Sequence, residues 1–116
     1  MASEMYGIEE KAVPVIFRID KAKSGFKEPF AIFPTLPGTY EPWTCTYYVE
    51  QGGHGSGDVQ HMMNYTRPAR PEEYEHLKTT LERIGYKIVI KKRISYKMFL
   101  EREAEIKRIL STAKLK

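Results

Sequence analysis

The stretch PEEYEHLKTTLERIGYKIVIKKRI, residues 71–94, carries two periodicities in succession, and their order decides the fold class. Pro71 suits a first helical position, and Glu72 and Glu73 follow where the helix dipole favours negative charge. Tyr74, Leu77, Leu81 and Ile84 recur on one helical face, and Gly85 supplies a left-handed stop. From Tyr86 to Ile94 the pattern changes to a strand, with Ile88, Val89 and Ile90 at its centre and lysines at either end. A helix over 71–84 therefore feeds a strand.

Towards the N-terminus the pattern is that of strands. In Val13–Ile19, Val15, Phe17 and Ile19 share one face and Ile16 and Arg18 the other. The polar segment Asp20–Lys27, with Ser24-Gly25, leads to a second strand at Pro29–Phe33, which predicts an antiparallel hairpin. Pro34, Pro37 and Gly38 break the ladder, because proline lacks the N–H that a central strand donates. A third strand follows at Trp43–Glu50, where Trp43, Cys45, Tyr47 and Val49 alternate with Thr44, Thr46 and Tyr48. Gln51–Asp58, with four glycines, reads as a loop. Val59–Thr66 reads as an irregular turn, and Arg67–Pro71 as a stiff extended lead-in to the helix.

Ser95 is placed to cap a last helix running to about Thr112. Phe99, Ile106, Ile109, Leu110 and Ala113 form its apolar stripe, and Glu103 and Lys107 are spaced for an ion pair. The prediction is an α+β domain over residues 12–116, preceded by a loose segment over 1–11. Its core would be a mostly antiparallel four-stranded sheet, in the order β-β-β-α-β-α, with two helices packed on one face.

Composition narrows the classes. A chain of 116 residues with 41% hydrophobic and 12% aromatic content fits one domain with a modest core and excludes a disordered chain. No apolar run approaches the roughly 20 residues of a membrane helix, and residues 1–11 lack the apolar centre of a secretion signal, so a cytoplasmic protein is expected. The single cysteine, Cys45, excludes an internal disulfide and reads as a small buried side chain. The net charge of +4 is unevenly distributed: residues 1–85 hold 9 basic and 12 acidic side chains, a net of −3, whereas residues 86–116 hold 10 and 3, a net of +7.

Three constellations are candidates for chemistry. The glycines around His54, Ser56 and Asp58 can aim backbone N–H groups at an anion, and Arg67 and Arg70 would strengthen such a pocket if the chain doubled back. The segment has neither the Gly-Lys-Ser/Thr ending of a P-loop nor dinucleotide spacing, and no cofactor is expected. His54, Asp58 and His61 are the residue types of a metal site, but they lack the paired spacings of zinc ligands. Cys45 or Ser56 with a histidine has the composition of a nucleophile and its base, yet no spacing connects them. Lys87, Lys91, Lys92, Arg93 and Lys97, interleaved with Tyr86 and Tyr96, suit phosphate backbones and bases. Lysines on an exposed edge strand also discourage unwanted pairing, so edge protection is the competing explanation.

The segments Phe33-Pro34-Thr35-Leu36-Pro37-Gly38-Thr39, Gly52-Gly53-His54-Gly55 with Asp58, and Thr66-Arg67-Pro68-Ala69-Arg70-Pro71-Glu72-Glu73-Tyr74 continuing to Ile84-Gly85-Tyr86 carry a resemblance. Over roughly Val15 to Arg93 the chain resembles a family of small uncharacterised proteins of bacterial genomes, prophages and other mobile elements. The family pattern has glutamine before the loop histidine, where this chain has Gly53. The resemblance implies the setting of a phage or mobile-element accessory protein and leaves mechanism open.

The expected function is a non-enzymatic binding module for an anionic ligand, nucleic acid or nucleotide, using His54, Ser56, Asp58, Arg67 and Arg70 together with the C-terminal basic residues. One alternative is an inhibitor or adaptor that binds a host protein through Trp43, Tyr47, Tyr48 and Tyr65. The other is a metal-dependent hydrolase built on His54, Asp58 and His61.

Overall fold

The computed structural model describes residues 12–21 and 28–114, so the expected segment over 1–11 and the Ser24-Gly25 turn lie outside the described residues. The first two strands, β1 (Val13–Asp20) and β2 (Phe30–Pro37), pair antiparallel with Phe17 opposite Ala31, as the hairpin reading expects. On the other side of β2 lies β3 (Thr44–Val49). Phe33 pairs with Thr46 and Pro37 with Cys45, so Pro34, Thr35 and Leu36 bulge from the ladder. Instead of ending β2 at Phe33, the prolines are accommodated in an irregularity where no ladder N–H is required.

The Gly-rich segment is a strand, β4 (Gly53–Asp58), paired with β3 along its whole length. The preceding turn is closed by the Gly52 N–H donating to the Val49 carbonyl at 3.2 Å, and Gly53 re-enters the sheet at a φ of +78°, where a side chain would be strained. The later glycines serve packing: a Cβ on Gly55 would stand 2.6 Å from the Tyr47 ring, and one on Gly57 2.9 Å from the Met62 sulfur. Asp58 accepts the His61 N–H at 2.9 Å and so starts helix α1 (Val59–Asn64), which replaces the expected irregular turn.

Part of the expected lead-in forms a short strand, β5 (Thr66–Pro68), and α2 (Pro71–Ile84) has the predicted bounds, ending at Gly85 with a φ of +126°. The next strand, β6 (Ile88–Ile90), is only three residues long and runs parallel to β1. The Ser95 hydroxyl accepts the Met98 N–H at 3.2 Å and opens α3 (Tyr96–Lys114). Among the described residues an ion pair of this helix joins Arg108 to Glu105, and the expected pair of Glu103 with Lys107 is not formed.

The sheet is therefore six-stranded rather than four-stranded, in the order β4-β3-β2-β1-β5, with β6 sharing the outer edge of β1. The helices also cover both faces, not one. Val15, Phe17, Ala31, Phe33 and Tyr48 meet Leu77 and Leu81 of α2. Ile16, Ile32 and Cys45 point the opposite way and are covered by Val59, Met62 and Met63 of α1, with Ile94 on the approach to α3. The cause is visible in β1 and β2, whose consecutive apolar residues leave neither face suited to water.

A buried arginine fastens α3 to the second face. Arg102, 2% exposed, donates from Nη1 to the Pro34 carbonyl at 2.5 Å and from Nε to the Pro42 carbonyl at 2.9 Å. The bulge thus leaves a carbonyl that Arg102 satisfies. Beside it Cys45 is fully buried, and burial pushes its thiol pKa up to about 12 against the opposing pull of Arg102.

Candidate functional site

The expected anion pocket does not assemble. β4 and β5 stand at opposite ends of the strand order, with three strands between them, so His54, Ser56 and Asp58 are not brought to Arg67 and Arg70. Each member has another task. His54 Nε2 shares a hydrogen bond of 2.8 Å with the Tyr86 hydroxyl, Ser56 Oγ donates to the Gly38 carbonyl at 2.6 Å, and Asp58 caps α1.

Arg67 is held in a two-bond clamp on Glu73, Nη1 to Oε1 at 2.9 Å and Nη2 to Oε2 at 2.8 Å. That clamp and the Arg70 backbone N–H hold the Glu73 carboxyl down at about 2. Arg70 divides its charge between Glu72 at 3.2 Å and Glu73 at 3.4 Å. His61 lies against the Tyr65 ring, 4.4 Å between centroids, and among the described residues no three His, Cys, Asp or Glu side chains gather as a metal site would need. The expected aromatic anchors divide as well: Trp43 is 53% and Tyr65 64% exposed, Tyr47 is half-buried, and Tyr48 is buried.

What the fold does create is a cleft where the outer edge of β1 is split. β6 follows the first half of β1 in parallel and β5 the second half in antiparallel. The last contacts before each departs are the Lys91 N–H to the Val15 carbonyl at 2.9 Å and the Ala69 N–H to the Phe17 carbonyl at 3.0 Å. Between them opens a cleft of about 300 Å³ lined by Ile16, Phe17, Arg18, Pro68, Ala69, Arg70, Pro71, Tyr74, Ile90, Lys91 and Lys92.

One wall is rigid, because the Tyr74 and Phe17 rings stack at 4.3 Å with planes 7° apart. Arg18 is committed to the fold: its Nε donates to Thr66 Oγ1 at 2.9 Å and its Nη2 to the Thr66 carbonyl at 2.6 Å. Burial lowers its pKa, although it has no competing acid-base role in this range. Lys91 and Lys92 are exposed and have no ion pair among the described residues, and the same holds for Lys87, Arg93 and Lys97.

The site thus combines an apolar cleft with cations taken from both predicted groups. Sequence reasoning named Arg70, Lys91 and Lys92 but not the floor built by Pro68, Ala69, Pro71 and Ile90. The signal was the proline bracket Pro68-Ala69-Arg70-Pro71, which compels β5 to stop and the chain to leave the sheet. No family model, no curated protein and no solved structure matches the chain. Among the described residues, no helix is long and apolar enough to cross a membrane.

Proposed function

We propose that the protein binds single-stranded nucleic acid, with one nucleotide seated in the cleft between β5 and β6. The observation that carries this reading is the pairing of an apolar cleft of about 300 Å³ with the uncompensated ammonium groups of Lys91 and Lys92 at its rim. A base supplies the flat apolar part and a phosphate the anionic part. A duplex keeps its bases stacked and paired, so a single strand is the form that can place one base in the cleft. Lys87, Arg93 and Lys97 extend the positive charge beyond the cleft, which suits a polymer better than a free nucleotide. Arg70 contributes less than the lysines because Glu72 and Glu73 share its charge.

The test is fluorescence-anisotropy titration of short single-stranded oligonucleotides at several salt concentrations. If five cations each meet one phosphate, log K falls against log salt with a slope of about −3.5, at about −0.7 per contact for single strands. Joint charge reversal, Lys91→Glu with Lys92→Glu, should cut that slope by about 1.4 and leave the melting temperature unchanged, because both side chains are exposed. No binding at low salt, or an unchanged slope in the double variant, would sink the reading.

A further inference from the structure

The opposite edge of the sheet supports a separate inference. Trp43 and Val49 turn their carbonyls towards β4, accepting the Val59 N–H at 3.0 Å and the Gly52 N–H at 3.2 Å. Odd-numbered residues of β3 therefore bond to β4, through their register partners Gly53, Gly55 and Gly57. By the same alternation the backbone N–H and C=O groups of His54 and Ser56 and the N–H of Asp58 point outward from the sheet edge, the Asp58 carbonyl being engaged as the N-cap acceptor of α1. Among the described residues no strand pairs with that side.

Five backbone groups over three residues, unpaired by any strand among the described residues, are a template for another strand. The strand itself carries none of the usual blocking devices: β4 contains no lysine and no proline, and it pairs with β3 without a bulge. The other edge is protected, since β5 and β6 are three residues each and carry Pro68 with Lys87 and Lys91 alongside. On one face of β4 the bare positions at Gly55 and Gly57 are covered by the Tyr47 ring and the Met62 side chain.

We propose that β4 pairs antiparallel with β4 of a second copy of this chain, about a two-fold axis at Ser56. The sequence of the strand selects this partner. With Ser56 opposite Ser56 of the second copy, residues 54 and 58 face each other across the axis, so each His54 meets an Asp58. A ring nitrogen and a carboxylate oxygen are thereby paired twice, whereas a register centred on His54 or Asp58 sets like groups together. The participating atoms are available: His54 bonds Tyr86 through Nε2 and Asp58 bonds His61 through Oδ1, leaving Nδ1 and Oδ2 for the partner. The isologous pairing joins two sheets into one and places the two β1 edges at its far ends.

Sedimentation velocity over a concentration series, with circular dichroism to verify folding, tests the pairing. The unmodified chain should dimerise. Ser56→Lys, which sets two ammonium groups against each other at the axis, should shift it to monomer.

The decisive comparison is His54→Lys against His54→Asp. Both remove the same bond to Tyr86, so a purely structural histidine predicts equal effects. Pairing with Asp58 predicts a dimer dissociation constant about 30-fold weaker for His54→Asp than for His54→Lys, or about 2 kcal/mol over the two symmetric pairs. A monomer at every concentration overturns the proposal. So does a dimer that survives Ser56→Lys, or His54 variants that behave alike.

Discussion

Replacing Arg102 with methionine removes the guanidinium and keeps a side chain of similar reach, so the effect reads the polar contacts of α3 rather than its packing. Two carbonyls, the buried one of Pro34 and the part-buried one of Pro42, lose their donors. A hydrogen bond to a charged group contributes about 1.5–3 kcal/mol, which puts the gross loss at about 3–6 kcal/mol. Part is returned, because the guanidinium no longer has to be held away from water, a cost visible in the downward pull of burial on its pKa.

The net expectation is a destabilisation of about 3 kcal/mol, a large share of the stability of a domain this size. At about 4 °C per kcal/mol, the melting temperature should fall by about 12 °C. Arg102→Lys should recover only part of that loss, since one ammonium on a flexible stem does not reproduce a fork that spans β2 and the following turn. Urea denaturation followed by circular dichroism is the assay, with an unchanged m-value confirming that the denatured state is comparable. An Arg102→Met protein within 0.5 kcal/mol of the parent would refute the idea that this residue fastens α3 to the sheet.

Two further outcomes follow from the geometry. The Glu73 carboxyl titrates at about 2 in the fold against 4.5 without it, so its contribution is fully present above about pH 4.5 and is lost as pH falls through 2. Melting temperatures measured between pH 6 and pH 2.5 should therefore fall less steeply in Glu73→Gln than in the parent, and parallel curves would remove the Arg67 clamp as the cause. Cys45, fully buried with its thiol pushed up to about 12, should react with an aromatic disulfide reagent only as fast as the chain unfolds, so that denaturant accelerates labelling. Immediate stoichiometric labelling of the folded protein would contradict its placement.

The elements that the sequence made legible are those whose signals are local. α2 carries its start, stripe and stop within fifteen residues, and the structure reproduces its bounds. The alternation of Thr44 to Val49 likewise survives as opposite faces of β3. The Gly-rich segment was read as a loop because glycine is a poor strand former alone. Its strand character comes from β3 beside it and from the Tyr47 ring, which requires a bare position at Gly55.

The shortness and parallel direction of β6 are likewise non-local, set by an edge of β1 that β5 already half occupies. For the site, the cationic half was visible in the charge asymmetry of residues 86–116. The apolar half was not, since Ala69 and Ile90 come together only through their separate contacts with β1. The expectation that Arg67 and Arg70 would face the glycines failed for the same reason: strand order, which no local pattern encodes, separates them.

The most direct test of the central claim is an amide chemical-shift titration of the labelled protein with a short single-stranded oligonucleotide. Binding in the split edge predicts the largest shifts at Phe17, Ala69, Arg70, Lys91 and Lys92, with β4 unaffected. Shifts centred on His54 to Asp58, or none at low salt, would contradict it.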